Sequence, residues 1–365
     1  LNDVINDSFS WLSNCRYADM MTPLERCVCA LNHVQPDRTP IWEALEHKEA
    51  YDFFAPGEEK WEAQACIAYR ELGIDMTYMA MYPPESGGVT VDDGRVIAGD
   101  TYWSTQPLWR SLNDLEEQAR APIDITREQI GFFESCQQEV ELFAPHTVWV
   151  SQGLGFGFIP AYDEDTLVVF QEAWNTNPDA LRRFWDRGVE LAIARAEVYA
   201  KHKIGPCVQM CEDLACKHGL LINPDIIRQE FFPRIKLIMQ PLHDAGIKCI
   251  LHSDGDITSI LDDIVEAGID GIDPVEPCGN MDIGRIKEQY GDKLVLVGNV
   301  DNNVLAMGTQ DDVVTAVQNC IRDASSGGGH LMQCGAGQIR PEVPLDNLIA
   351  YCETVHGSGS INVFL

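Results

Sequence analysis

Eight short β-rich runs, most of them followed by segments of helical period, constrain this chain more than any other feature. The runs are TPIWEA (39–44), GIDMTYM (73–79), TVWVSQG (147–153), CVQMCED (207–213), KCILHSDG (248–255), GIDGIDPVEP (268–277), KLVLVGNVD (293–301) and HLMQCGAG (330–337). Several are continuously apolar, as strands covered on both faces must be. Helical periodicity marks 58–72, 178–202, 224–246, 258–268, 281–291, 311–324 and 344–355. Many of these open on Asn-Pro, Asp or Thr and end on Gly, the usual helix punctuation. Such alternation implies parallel strands, and eight strands is the count that closes a βα barrel. The expected fold class is therefore α/β: a single (β/α)8 TIM barrel domain over residues 1–365, with an N-terminal helical extension.

The stretch from Met79 to Pro145 breaks the rhythm. Residues 88–105 read as a hairpin with a DDG turn and 126–143 as a helix. An insertion after strand two, about residues 80–145, forming a lid over one barrel face, fits this best. The uncharged stretch 142–162 has the length of a membrane span, but Pro145, Gln152, Pro160 and its glycines make it loop, strand and loop. The start, LNDVINDSFSWL, lacks the basic region of a secretory signal. Thirteen cysteines scattered through apolar segments argue against a disulfide framework and for a reducing cytoplasm. With 26 Lys+Arg against 57 Asp+Glu, the net charge of −31 disfavours nucleic acid and anionic membrane surfaces. A small neutral molecule and a docking protein suit it better, with a homodimer left open.

In a βα barrel the chemistry collects where the strands end, because only there do eight loops converge on the axis. The polar residues at those ends are Glu43, Gln152, Glu212, Asp213, His252, Asp254, Glu276, Asn299, Asp301 and Cys334. Each has a plain structural alternative: His252 as a satisfied core histidine, Asp254 as the cap of the helix after it, Cys334 as apolar filler. One imidazole, one thiol and one or two carboxylates on a single rim together make an open zinc site. Cys207, Cys211 and Cys216 lack zinc-knuckle spacing. GLGFGF (153–158) lacks a following helix start and a P-loop lysine, so it reads as a flexible loop over the mouth. SSGGGH (325–330) reads as a helix end and loop at the opposite, amino-terminal face.

DRTPIW, the segment from CEDLACKHG to ILHSDGDI, GIDGIDPVEP, LVLVGNVD and CGAGQIRPEVPLDNLIAYCETV are together similar to the uroporphyrinogen decarboxylase superfamily, over roughly residues 22–356. The resemblance implies the same barrel and two chemistries. True decarboxylases carry an arginine-rich segment after strand one to hold a polycarboxylate; here WEALEHKEAY (42–51) is acidic. The other branch, the zinc-containing, corrinoid-linked methyltransferases of anaerobes, uses a His-x-Cys pair on strand five, a Cys on strand eight and sometimes a Glu after strand six. His252, Cys334 and Glu276 match those positions, and Asp254 replaces the first Cys. Trading a thiolate for a carboxylate makes the ion harder, better suited to polarise oxygen than to activate a thiol.

The resemblance therefore implies transfer of a methyl group from a small O-methyl donor, an aromatic ether among the candidates, to the Co(I) of a corrinoid (cobalamin) carried on a partner protein. Zn2+ would be held by His252, Glu276, Cys334 and Asp254. Glu212 or Asp213 would protonate the leaving oxygen or add a ligand, and Glu43, Gln152 and Asn299 would contact substrate. The alternatives are a metal-free decarboxylase-like lyase, a methylcobamide:thiol methyltransferase, and a non-catalytic binding protein on the same scaffold.

Overall fold

The computed structural model describes residues 20–79, 107–335 and 337–358, together with the backbone of three short strands between residues 90 and 104. All eight runs contain strand: β1 (Ala44–Leu45), β2 (Met76–Thr77), β3 (Val148–Trp149), β4 (Cys207–Cys211), β5 (Lys248–His252), β6 (Gly271–Asp273), β7 (Val295–Val297) and β8 (His330–Leu331). The regular strands are shorter than the apolar runs because the polar ends peel away into loops. Strands β4 to β8 form one parallel sheet, in register Lys248↔Cys207 to His252↔Cys211, then His252↔Asp273, Gly271↔Val295 and Leu296↔His330. β2 and β3 pair in parallel, Met76↔Val148. Backbone hydrogen bonds supply the other links: Gln209 N–H to Ser151 O (2.9 Å), Glu43 N–H to Met76 O (3.1 Å) and Trp42 N–H to Met332 O (2.9 Å). Each run is thus bonded to the next, and the eighth to the first.

Alternation along the strands sorts buried side chains into two sets. An inner cluster joins Trp42, Met76, Val150, Cys207, Ile250, Val297 and Leu331, enclosed by the strands. A larger cluster lies between strands and helices, with Met210, Leu251, Ile272 and Leu296 facing Ile235, Ile264, Ile286 and Val317. The helix Pro23–Leu31 closes the amino-terminal end. Thr22 caps it, with Glu25 completing a reciprocal capping box. Cys27, Ala30 and Leu31 reach the inner cluster. Gly328, at φ +79°, lies so close that a Cβ there would sit 2.5 Å from Val34 O; the SSGGGH segment is the helix end and loop expected at this face.

The same end carries a buried ion network. Asp75 accepts from Arg26 (2.5 Å), Arg38 (2.6 Å) and the Ile41 N–H (2.8 Å), fixing the DRTPIW segment to the start of β2. Arg26 also bonds Asp37 at 2.6 Å.

Several elements differ from the sequence reading. The expected two-stranded hairpin is a three-stranded antiparallel meander, Thr90–Asp92, Arg95–Ala98 and Thr101–Ser104. Helices that had not been marked include Lys48–Phe54, Leu112–Arg120, capped by Ser111, Glu164–Thr176, capped by Asp163, and Asn302–Met307. The expected helix over 126–143 is present as Ile125–Phe143. Of the expected lid, residues 80–89, 93–94, 99–100 and 105–106 lie outside the described residues. No helix among the described residues is long and apolar enough to cross a membrane, and no disulfide joins the twelve described cysteines.

Candidate active site

His252 ends β5 at the carboxyl-terminal rim, directly opposite Asp273 of β6 and Cys211 of β4. Its Nδ1 lies 3.1 Å from Asp273 Oδ2, and Nε2 faces Asp213 Oδ1 at 3.6 Å and Asp254 Oδ1 at 3.8 Å. With Nδ1–H donating to Asp273, the Nε2 lone pair is aimed at the two other carboxylates. That is the second-carboxylate arrangement that fixes the tautomer of a metal-binding imidazole. Asp273 is fully buried and is itself held by the Gln209 side-chain N–H. Asp213 Oδ1 also accepts from the Asp254 N–H at 3.1 Å, drawing the β4 and β5 loops together.

The electrostatics show an excess of negative charge. Burial alone would lower the His252 pKa, but the hydrogen bond it donates to Asp273 and the charges of Asp273, Asp254 and Asp213 outweigh it and raise the pKa to about 9. Burial pushes the Asp254 carboxyl up to about 6; His252 pulls it down, while Asp213, Glu276 and Asp273 push it further up. No Lys or Arg pairs with Asp213, Asp254, Asp273 or Glu276 among the described residues. A proton on His252 or a bound cation is what balances such a set. Asp213, His252 and Asp254 offer one ligand atom each within 4.8 Å of one another. One nitrogen and two oxygens, leaving room for a further ligand, suit a catalytic zinc ion.

The other expected site residues are placed differently. Cys334 is buried: its thiol donates to Glu43 Oε2 (3.2 Å) and its N–H to Glu43 Oε1 (2.7 Å), which also accepts from the Tyr351 hydroxyl at 2.6 Å. Burial pushes the Glu43 carboxyl up to about 8 despite these bonds. Glu276 Oε2 accepts from the Gly255 N–H at 2.7 Å, shaping the turn after β5. Neither Cys334 nor Glu276 belongs to the His252 cluster. Gln152 and Asn299 are half-buried after β3 and β7.

Glu212, expected as an acid, is buried with both oxygens engaged. Oε1 accepts from the N–H groups of Phe156 (2.5 Å) and Gly157 (3.0 Å), and Oε2 from that of Phe158 (2.8 Å). Burial sets its pKa at about 7 against the pull of those three donors. The GLGFGF loop is therefore pinned, not flexible. Gly155 permits this, since a Cβ there would lie 2.5 Å from Cys211 O. Three partners escaped the sequence reading: Asp273, Gln209 and Tyr162, whose hydroxyl donates to Asp213 O at 3.1 Å. The sequence signal for the first two was a lone polar residue inside an apolar run.

Comparison with known proteins bears on the family. The uroporphyrinogen decarboxylase (URO-D) family model matches residues 164–358. A uroporphyrinogen decarboxylase of Coxiella burnetii is 32% identical over 85 residues, 23% of each chain. One from Pseudomonas fluorescens is 34% identical over 96 residues, 26% of each chain. A methylcobamide:CoM methyltransferase MtaA of Methanosarcina barkeri is 28% identical over 172 residues, 47% of each chain. The chain thus spans about a quarter of the length of the first two relatives and about half that of the third.

Proposed function

The chain belongs to the uroporphyrinogen decarboxylase family, and we propose that it is a zinc-dependent methyltransferase, moving a methyl group from a small O-methylated donor to a corrinoid carried by a partner protein. We read the ring of strand hydrogen bonds as a closed (β/α)8 barrel and the whole chain as one domain. Residues 80–145 are then an insertion that serves as lid or docking surface for the corrinoid protein, in a reducing cytoplasm. The observation that carries the reading is His252, oriented by Asp273, with Nε2 turned toward Asp254 and Asp213 in an anionic rim.

His252, Asp254 and Asp213 would hold the zinc. When bound, it supplies Lewis acidity to the ether oxygen and stabilises negative charge there as the C–O bond weakens. Asp273 holds the imidazole ring in place and keeps the proton on Nδ1. Glu212 is committed to the 156–158 loop, so Asp213 is the carboxylate of that pair placed to share the ion or pass a proton to the leaving oxygen. Cys334 and Glu276 join the ligand set only by leaving Glu43 and the Gly255 N–H.

The acidic rim disfavours a polycarboxylate substrate, which needs cations around it. Lys48, the cation of the WEALEHKEAY segment, pairs with Asp52 on an exposed helix surface instead. The named activity of the Methanosarcina barkeri relative favours a second reading, methylcobamide:thiol transfer. A cluster of one imidazole and two carboxylates is a harder site than a thiol acceptor prefers.

The test is anaerobic transfer from methoxybenzene to cob(I)alamin, followed by absorbance. We expect about one zinc per chain, activity lost on chelation and regained with zinc. Full activity without metal would favour a metal-free reaction, and transfer only to a thiol would favour the second reading.

A further inference from the structure

A second gathering of ligand-type side chains lies at the amino-terminal end of β5, away from the His252 rim. His243 stands in the last turn of the helix Phe232–Asp244, Cys249 is the second residue of β5, and Asp270 immediately precedes β6. Strand alternation sets where the thiol points: Ile250 belongs to the inner cluster, whereas Cys249 and Leu251 belong to the outer one, so Cys249 faces the helices. His252 has the parity of Ile250 and stands about 10 Å further along the strand, so the two gatherings share neither face nor end. Backbone bonds lock Asp270 beside Cys249: the Asp270 N–H donates to Cys249 O at 3.0 Å, and the Cys249 N–H to Asp270 Oδ2 at 2.9 Å. His243 Nε2 lies 2.8 Å from that same oxygen, and Lys248 Nζ 3.0 Å from Oδ1. One ligand atom each from His243, Cys249 and Asp270 falls within 4.8 Å of the others. The Cys249 thiol is fully buried and makes no hydrogen bond among the described residues, so its sulfur is an unused ligand beside the His243–Asp270 pair. The imidazole is 34% exposed, which gives an ion a way in from solvent.

The donor set selects the ion. Magnesium and calcium take shells of oxygen; one imidazole and one thiolate suit zinc or its softer analogue cadmium. A tetrahedral ion about 2.0–2.1 Å from nitrogen and oxygen holds those two atoms about 3.3 Å apart, so the His243–Asp270 contact need open only slightly. Asp270 keeps Lys248 on Oδ1 and the Cys249 N–H while Oδ2 takes the ion. Two costs make this the weaker of the two sites. The thiol must give up its proton as the metal binds, and Lys248 already offsets the Asp270 charge.

We propose that His243, Cys249 and Asp270 form a second metal site, for a thiophilic divalent ion of the zinc class, filled after the His252 site and joining the end of the helix Phe232–Asp244 to β5 and β6. The site stands on its own ligands and does not depend on the methyltransferase reading.

The full chain, already carrying one equivalent of zinc, is titrated with cadmium chloride while the ultraviolet sulfur-to-cadmium charge-transfer band is followed. We expect the band to saturate at one further equivalent and to be lost in Cys249→Ser. His243→Ala, at a partly exposed position, should weaken the binding that the band reports by at least about tenfold. Lys248→Met removes the competing cation and should tighten it, a gain that a hydrogen-bonded cluster without an ion would not give. No band in the wild type overturns the inference. A band undiminished in Cys249→Ser belongs to another cysteine and overturns it equally, as does an unchanged affinity in His243→Ala. Loss of the first zinc in either variant would place the tighter site here and contradict the order of filling.

Discussion

Asp273 is the residue on which the candidate site turns, because it fixes both the direction of the His252 ring and which nitrogen carries the proton. Asp273→Asn keeps the shape and removes the charge; we expect zinc affinity, measured by competition with a chelator, to fall about 10- to 100-fold. An unchanged affinity would remove His252 from the ligand set. Glu43 gives a second test. Its folded pKa of about 8 lies above the ordinary 4.5, so between those values the native state binds the extra proton and stability falls as pH rises. His252, raised from 6.5 to about 9, acts in the same direction: its contribution is full below pH 6.5 and is lost as pH rises through 9. The melting temperature of metal-free protein should drop from pH 5 to 8, less steeply in Glu43→Gln; parallel curves would exclude Glu43 ionisation as the cause. Residues at strand ends were legible in the sequence because a polar group terminating an apolar run is conspicuous. Asp273 and Gln209 were not, because the meaning of each depends on a neighbouring strand, as in the pairing His252↔Asp273. Nor could spacing alone reveal that Glu43 would engage Cys334 from 291 residues away.

The loop 153–158 shows how a single buried carboxylate organises an element. Glu212 collects three successive N–H groups, so the loop is tied to the end of β4 and from there to His252, whose carbonyl accepts the Glu212 N–H at 3.0 Å. Glu212→Gln exchanges an acceptor for a donor that faces N–H groups. We expect a loss of about 1–3 kcal/mol in stability and faster hydrogen exchange at Phe156, Gly157 and Phe158; unaltered protection there would contradict the clamp. The glycine-rich composition suggested mobility because it reports backbone freedom and not the acid 56 residues away that removes it. The missed helix Glu164–Thr176 has a related cause: Leu167, Val168, Val169 and Phe170 are a strand-like apolar run, and only packing of Val169 and Phe170 in the core decides for helix.

Across the whole molecule the ends of the strands divide the work. The amino-terminal end is a stability device, with Asp75 between Arg26 and Arg38. Asp75→Asn leaves two buried guanidinium groups under-compensated, and urea unfolding should show a loss of about 3–5 kcal/mol; a loss below ~1 kcal/mol would mean the network carries little. The carboxyl-terminal end holds Asp213, His252, Asp254 and Asp273, carboxylates gathered around one imidazole in a chain of net charge −31. Alternation of apolar runs and helical periods made the strand count readable, since parallel strands must be apolar on both faces. The ligand geometry is a property of several strands at once and had to await their pairing. The central claim, a zinc ion on His252, is tested most directly by anomalous diffraction at the zinc edge from crystals of the zinc-loaded protein. We expect one strong peak about 2.0–2.1 Å from His252 Nε2, shared with Asp254 and Asp213. No peak at that nitrogen, with zinc bound elsewhere or nowhere, would contradict it.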